Sequence, residues 1–171
     1  MTAAQISPEI LVRARKIKLL LMDCDGVLTD GRLYFGETRE ALKVFHAHDG
    51  QGIVDWRKAG FRSGIISGRT SKIVDLRARQ LGIEFVFQGH SEKVAAFEEI
   101  VTSARVSPDE TAFIGDDTPD IEVMRLVGLA VAVSDAHDAV KAAAHYITQH
   151  EGGHGAVREV IDLLLENKRS H

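Results

Sequence analysis

A single cysteine, Cys24, leaves this chain of 171 residues without a partner for an internal disulfide. That scarcity suits a reducing compartment. Cations are not in surplus either: 21 Lys and Arg stand against 25 Asp and Glu, for a formal charge of -4. Binding a phosphate backbone needs a clustered positive face, so a nucleic-acid partner is not expected. No apolar run approaches the roughly 20 residues that cross a bilayer, so no membrane association is expected. Residues 1–18 are charged and lack the apolar stretch of a secretory leader. Repeats, low-complexity tracts and linkers are missing too. These absences predict one cytoplasmic domain over residues 1–171, long enough to bury a core without staples.

What is present is an alternation. Short apolar runs rich in branched residues occur at Ile17–Asp23, Arg62–Ser67, Glu84–Phe87, Ala112–Gly115 and Leu129–Val133, with a weaker one at Tyr146–Thr148. Between them lie helical spacings, such as Val94, Phe97, Ile100, Val101 and Ala104. Val157, Val160, Ile161 and Leu164 repeat the pattern near the end. Alternating strands and helices predict an α/β fold, a Rossmann-like parallel sheet with helices on both faces. One stretch interrupts it. Arg32–Phe35 and Ala41–His46 flank Gly36-Glu37-Thr38-Arg39, which predicts a β-hairpin insertion over residues 31–46, directly after the first strand. A helix starting near Asp49-Gly50 then completes the first crossover, and residues 150–171 form a Gly-rich tail and a last helix.

Four features fall at or just beyond the C-terminal ends of predicted strands: Asp23-Cys24-Asp25-Gly26, Ser67-Gly68-Arg69, Lys93, and Gly115-Asp116-Asp117-Thr118-Pro119-Asp120. Ligands bind at that edge of open α/β sheets. Each feature alone reads as ordinary punctuation: a turn, a helix cap or a solvated lysine. Jointly, in order and at one edge, they predict a site. Five carboxylates brought together repel unless a hard cation joins them, most simply Mg²⁺, which would also recruit a phosphate. Lys93 adds a point charge for that phosphate and Ser67 a hydrogen bond.

These residues resemble the four motifs of the haloacid dehalogenase-like superfamily, from Leu20 to about Asp120. The resemblance implies a nucleophile at Asp23 and a general acid and base at Asp25. It implies Mg²⁺ held by Asp23, Asp116 and the Asp25 carbonyl, with Asp117 and Asp120 in support. A carboxylate nucleophile divides hydrolysis into two displacements through an aspartyl-phosphate. The second carboxylic acid at Asp25 fits phosphatases. About 40 residues separate Asp25 from Ser67 and about 20 separate Lys93 from Asp116. Neither interval has room for a cap domain beyond its own elements.

A narrower similarity, to the capless phosphatases of 3-deoxy-D-manno-octulosonate 8-phosphate, extends over nearly the whole chain. Its stretches include Asp49-Gly50-Gln51-Gly52-Ile53, Ile66-Ser67-Gly68-Arg69 and Gly152-Gly153-His154-Gly155. It implies a sugar-acid phosphate substrate, lipopolysaccharide biosynthesis, a homotetramer assembled through the hairpins, and a tail that approaches a neighbouring site. It also places Arg69, Arg77, His48, Asp49 and Gly50 at the substrate. The chain departs from that family at His48, Val54 and His154, where the family carries Arg. Neutral His or Val does not replace the bidentate pairing of Arg with a carboxylate. The alternatives are therefore a nine-carbon keto-sugar acid 9-phosphate, another small phosphate ester or, in a different class, a non-catalytic phosphate-binding module. The eight histidines, scattered apart from His46 and His48, read as surface or loop residues rather than a zinc site. Trp56 reads as a core or interface residue, and Lys168, Arg169 and His171 as a frayed polar tail.

Overall fold

A computed structural model describes residues 6–168. Six strands form one parallel sheet: β1 (Leu19–Met22), β4 (Arg62–Ser67), β5 (Phe85–Gln88), β6 (Thr111–Gly115), β7 (Leu129–Ala132) and β8 (Tyr146–Ile147). Their order is β5-β4-β1-β6-β7-β8. β1, β6 and β7 are buried along their whole length, as near-continuous apolar strands must be when both sheet faces are covered. The expected runs are all present, most of them a residue or two shorter or shifted at an end.

One face carries α1 (Pro8–Lys16), α2 (Ala47–Lys58), α3 (Lys72–Leu81) and α7 (Ala156–Lys168); α7 packs on α1 and α2, and α3 on α2. The other carries α4 (Lys93–Ala104), the short α5 (Ile121–Met124) and α6 (Asp138–Ala143). Phe97, Ile100, Val101 and Ala104 of α4, and Val157, Val160, Ile161 and Leu164 of α7, are buried as their spacing predicts. Trp56 is wholly buried, stacks on Phe61 and donates its Nε1 proton to the Arg62 carbonyl at 2.8 Å.

Three expectations change. Helix α1 lies inside residues read only as a charged lead; Ser7 accepts from the Ile10 amide, Pro8 holds the first turn, and Ile10 and Ala14 are buried. The hairpin strands are shorter than expected, β2 at Tyr34–Phe35 and β3 at Glu40–Leu42, with a bulge in their antiparallel pairing. Residues 43–46 leave the ladder because Lys43 turns toward Asp25 and His46 caps α2, which starts at Ala47 rather than near Asp49. Lys168 is not frayed: it ends α7 and donates to the Arg15 carbonyl at 2.7 Å. The tail residues Arg169 and His171 lie outside the described residues.

Candidate active site

The crossovers step away from β1 in opposite directions, to β4 on one side and β6 on the other, so a crevice opens at its C-terminal end. Asp23 follows β1 there, and its amide still donates to the Ile114 carbonyl at 3.0 Å, extending the pairing with β6. Residues 24–29 then fold into a tight turn in which the Cys24 carbonyl accepts from the amides of Val27, Leu28 and Thr29. Gly26 holds φ +89°, and a Cβ there would lie 2.0 Å from Asp116 Oδ2. Only glycine fits, because the left-handed backbone and the approach of Asp116 both forbid a side chain.

Around the crevice stand Asp23, Asp25, Ser67, Gly68, Arg69, Lys93, Asp116 and Asp117, lining one cavity of about 450 Å³. Lys93 begins α4 with its side chain only 4% exposed; its Nζ lies 3.0 Å from Asp23 Oδ2 and 2.6 Å from Asp120 Oδ1. Burial opposes charge on Lys93, but Asp23 and Asp120 outweigh it and raise its pKa. Asp120 is consumed by the protein: its second oxygen accepts from the amides of Asp116 at 2.9 Å and Asp117 at 3.3 Å. Asp117 caps the 3-10 turn Thr118–Asp120 by accepting from the Thr118 amide. Ser67 ends β4 and is buried, its Oγ accepting from the Arg69 amide at 3.3 Å.

Asp23, Asp116 and Asp120 form the one group of three metal-type ligands, within 4.8 Å of one another, among the described residues. Burial, then Asp120, pushes Asp23 up to about 6 against the pull of Lys93. Burial, then Asp23 and Asp120, pushes Asp116 up to about 8. Asp116 Oδ1 is buried and accepts no hydrogen bond among the described residues. A buried carboxylate oxygen without a donor is costly, and a hard cation with oxygen ligands is what such a donor set fits. Cys24 lies between the two loop carboxylates; burial first, then Asp25, raises its pKa and keeps it a thiol.

Two residues the sequence did not single out, Lys43 and Glu40, complete the surroundings of Asp25. Lys43 meets Asp25 Oδ1, and Arg69 Nε lies 3.5 Å from Oδ2. Glu40 pairs with Lys43 at 2.8 Å and accepts from Ser71 Oγ at 2.5 Å. The pairs of Asp25 with Lys43 and with Arg69 join residues far apart in sequence, and no local spacing pointed to them.

Other expected substrate residues are not brought to this cavity. Asp49 is buried beneath the start of α7, where its oxygens accept from the Arg158 amide at 2.8 Å and the Gly155 amide at 3.3 Å. Gly50 lies against the Arg77 guanidinium, where a Cβ would be 2.3 Å from Nη2. Arg77 itself lines a neighbouring cavity of about 330 Å³ with Lys43 and Phe45. His48 and His154 line a third, of about 350 Å³, together with His46 and His150; histidines scattered in sequence gather there. The glycine segment packs on the chain's own loop of residues 23–29: the Gly153 amide donates to the Val27 carbonyl at 2.9 Å, and a Cβ on Gly152 would lie 1.7 Å from the Gly26 carbonyl oxygen.

Known proteins resemble this chain in sequence and in fold. A family model described as haloacid dehalogenase-like hydrolase matches residues 66–161. The 3-deoxy-D-manno-octulosonate 8-phosphate phosphatase KdsC of Yersinia pestis is 44% identical over 160 residues, covering 94% of this chain and 86% of its own. This chain is a haloacid dehalogenase-like hydrolase. The hydrolase superposes on the crystal structure of the Yersinia pestis phosphatase with a TM-score of 0.92, at 43% identity over 94% of this chain and 87% of that one. The Moraxella catarrhalis phosphatase, crystallised with a magnesium ion, a phosphate ion and a KDO molecule, matches with a TM-score of 0.91 at 37% identity. That match covers 94% of this chain and 92% of the Moraxella chain. Of the hydrolase's described helices, none is long and apolar enough to cross a membrane.

Proposed function

We propose that this hydrolase is a magnesium-dependent phosphatase that cleaves 3-deoxy-D-manno-octulosonate 8-phosphate to the free sugar acid and phosphate, in lipopolysaccharide biosynthesis. One observation carries the chemistry: Asp23, ion-paired with Lys93 at 3.0 Å, stands beside the unpartnered oxygen of Asp116 in the cavity that also holds Asp25 and Ser67. The substrate follows the printed activity of the relatives and the KDO found in the Moraxella structure.

In this reading an Asp23 carboxylate oxygen attacks phosphorus. The bond to the sugar oxygen breaks, and Asp25 gives that oxygen a proton. Water then attacks the aspartyl-phosphate, Asp25 takes its proton, and Asp23 is released. Lys93 and Ser67 face the charge on the phosphoryl oxygens through both displacements. Asp23, Asp116 and the Asp25 carbonyl would hold Mg²⁺, which supplies positive charge where the phosphoryl group carries negative charge. Asp117 and Asp120 support the set, Asp120 by fixing Lys93 and the Asp116 backbone. Gly68 and Arg69 border the same cavity and would meet the substrate.

The reading includes one domain in the cytoplasm, assembled as a homotetramer. Apolar side chains on the hairpin support the assembly: Phe35 is 63% exposed and Val44 54%, with Leu33 and Leu42 also exposed. Such a patch marks a protein contact. A neighbouring subunit would then border an otherwise open site, and Arg77 and His48, which line other cavities of the chain, would meet the substrate only across such a contact. The test is phosphate release from a panel of sugar-acid phosphates with Mg²⁺. A clear preference for the eight-carbon substrate is expected; preference for a nine-carbon 9-phosphate would replace the substrate, and no release from any ester would remove the phosphatase reading.

A further inference from the structure

Asp25 is gripped on both oxygens. Lys43 Nζ meets Oδ1, and Arg69 Nε lies 3.5 Å from Oδ2. The two cations are themselves joined through Glu40, whose Oε1 lies 2.8 Å from Lys43 Nζ and 3.8 Å from Arg69 Nη2. Two acids and two bases thus alternate around a closed ring. Glu40 is in turn tied to the start of α3 through Ser71 Oγ at 2.5 Å. The Lys43 side chain is only 2% exposed, so the contact is shielded from solvent and from salt. Arg69, by contrast, is 43% exposed, and its longer contact contributes less.

Lys43 belongs to the return limb of a hairpin whose strands, Tyr34–Phe35 and Glu40–Leu42, are too short to hold a position by themselves. A plain account would make the ring a fastening for that hairpin and nothing more. The geometry favours a second consequence. An aspartate side chain turns about two bonds, and Asp25 must present one oxygen first to the leaving group and then to water. A cation on each oxygen removes that freedom.

We propose that Lys43, anchored by Glu40, is a positioning residue that holds Asp25 for proton transfer at the leaving oxygen. The inference rests on the phosphatase reading above. In the first displacement the bond between phosphorus and the leaving oxygen breaks, its electron pair goes to that oxygen, and the proton comes from Asp25. In the second, a proton of water passes to Asp25 as the bond to Asp23 breaks. Lys43 keeps its own protons throughout; it contributes orientation only.

The test compares two leaving groups. An alkoxide needs a proton as it departs; para-nitrophenolate does not. Lys43→Met is expected to lower kcat/KM for the sugar-acid phosphate by about 10- to 100-fold, the usual cost of a misplaced catalytic group; kcat/KM reads the steps through departure of the leaving group and leaves out the later attack of water, which both esters share. On para-nitrophenyl phosphate the same variant should lose less than about threefold, since positioned proton transfer contributes little there. Lys43→Arg should restore most of the loss, and Glu40→Gln should show the same selective pattern more weakly while leaving Lys43 in place. Equal losses on both substrates would make the ring a fastening alone and overturn the proposal, as would no loss on either. Wild-type protein inactive on both esters would overturn the phosphatase reading instead. Circular dichroism of each variant separates a failure to fold, in which case Glu40→Gln decides.

Discussion

Asp23, Ser67 and Asp116 stand at the ends of β1, β4 and β6, while Arg77, His48, Asp49 and Gly50 ride on helices α2 and α3. The two groups are positioned by different physics. Strand ends are locked by parallel register: Met22 pairs with Ile65 on one side and Ile114 on the other, so the residues that follow emerge together. A helix-borne side chain depends on how the helix lies and on what it caps. Asp49, which reads as a substrate residue, is spent beneath α7. Arg77 has a buried Nε without an acceptor among the described residues and faces a different cavity from Asp23. The strand-end residues converge where the register leaves no choice, and the residues on α2 and α3 go where their own helices carry them.

The largest expected effect breaks the first group. Asp23→Asn should lower turnover by more than about 10⁴-fold, as loss of a nucleophile does, while the fold persists. Measured phosphate release within tenfold of wild type would end the assignment. Next, Asp120→Ala strips Lys93 of one partner and two backbone amides of their acceptor. Removing one side of a buried pair costs about 3–5 kcal/mol, which urea unfolding would detect. A smaller loss is expected from Gly152→Ala, whose methyl would collide with the Gly26 carbonyl. Overpacking of that kind costs about 1–3 kcal/mol, and here it should also depress turnover by displacing the loop.

Metal and pH test the same group together. Asp116 ionises near 3.8 in an unfolded chain and near 8 in the folded metal-free site. Across that window the folded protein holds the extra proton, so its stability falls as pH rises. A cation takes the proton's place. The rise in Tm on adding Mg²⁺ should therefore be greater at about pH 8 than at about pH 6. Equal rises would show that Mg²⁺ displaces no proton from Asp116 across that window. The smallest effect belongs to the second group. His48 is exposed, and His48→Ala should change stability by no more than about 0.5 kcal/mol.

That contrast explains what could be read from the sequence. Strand runs, their alternation with helices and the four strand-end motifs were legible because period and punctuation are local properties. Helix α1 had a local signal too, Ser7-Pro8 ahead of a helical spacing, but its charge masked it. The ring around Asp25 and the gathering of His46, His48, His150 and His154 were not legible. Each joins segments that meet only after the sheet forms, and the shortening of the hairpin follows from the same ring. No spacing rule relates Lys43 to Asp25 across 18 residues.

Helix α7 has a bearing on the order in which a working site can arise. The loop of residues 23–29 is translated early, yet its backbone leans on Gly152 and Gly153, and the start of α7 is fastened by Asp49. A chain still emerging from the ribosome therefore carries Asp23 long before it carries the support that sets Gly26. Synthesis runs from the first strand toward the last helix, so catalytic competence comes late. A nascent fragment of this hydrolase would display Asp23 without being able to aim it.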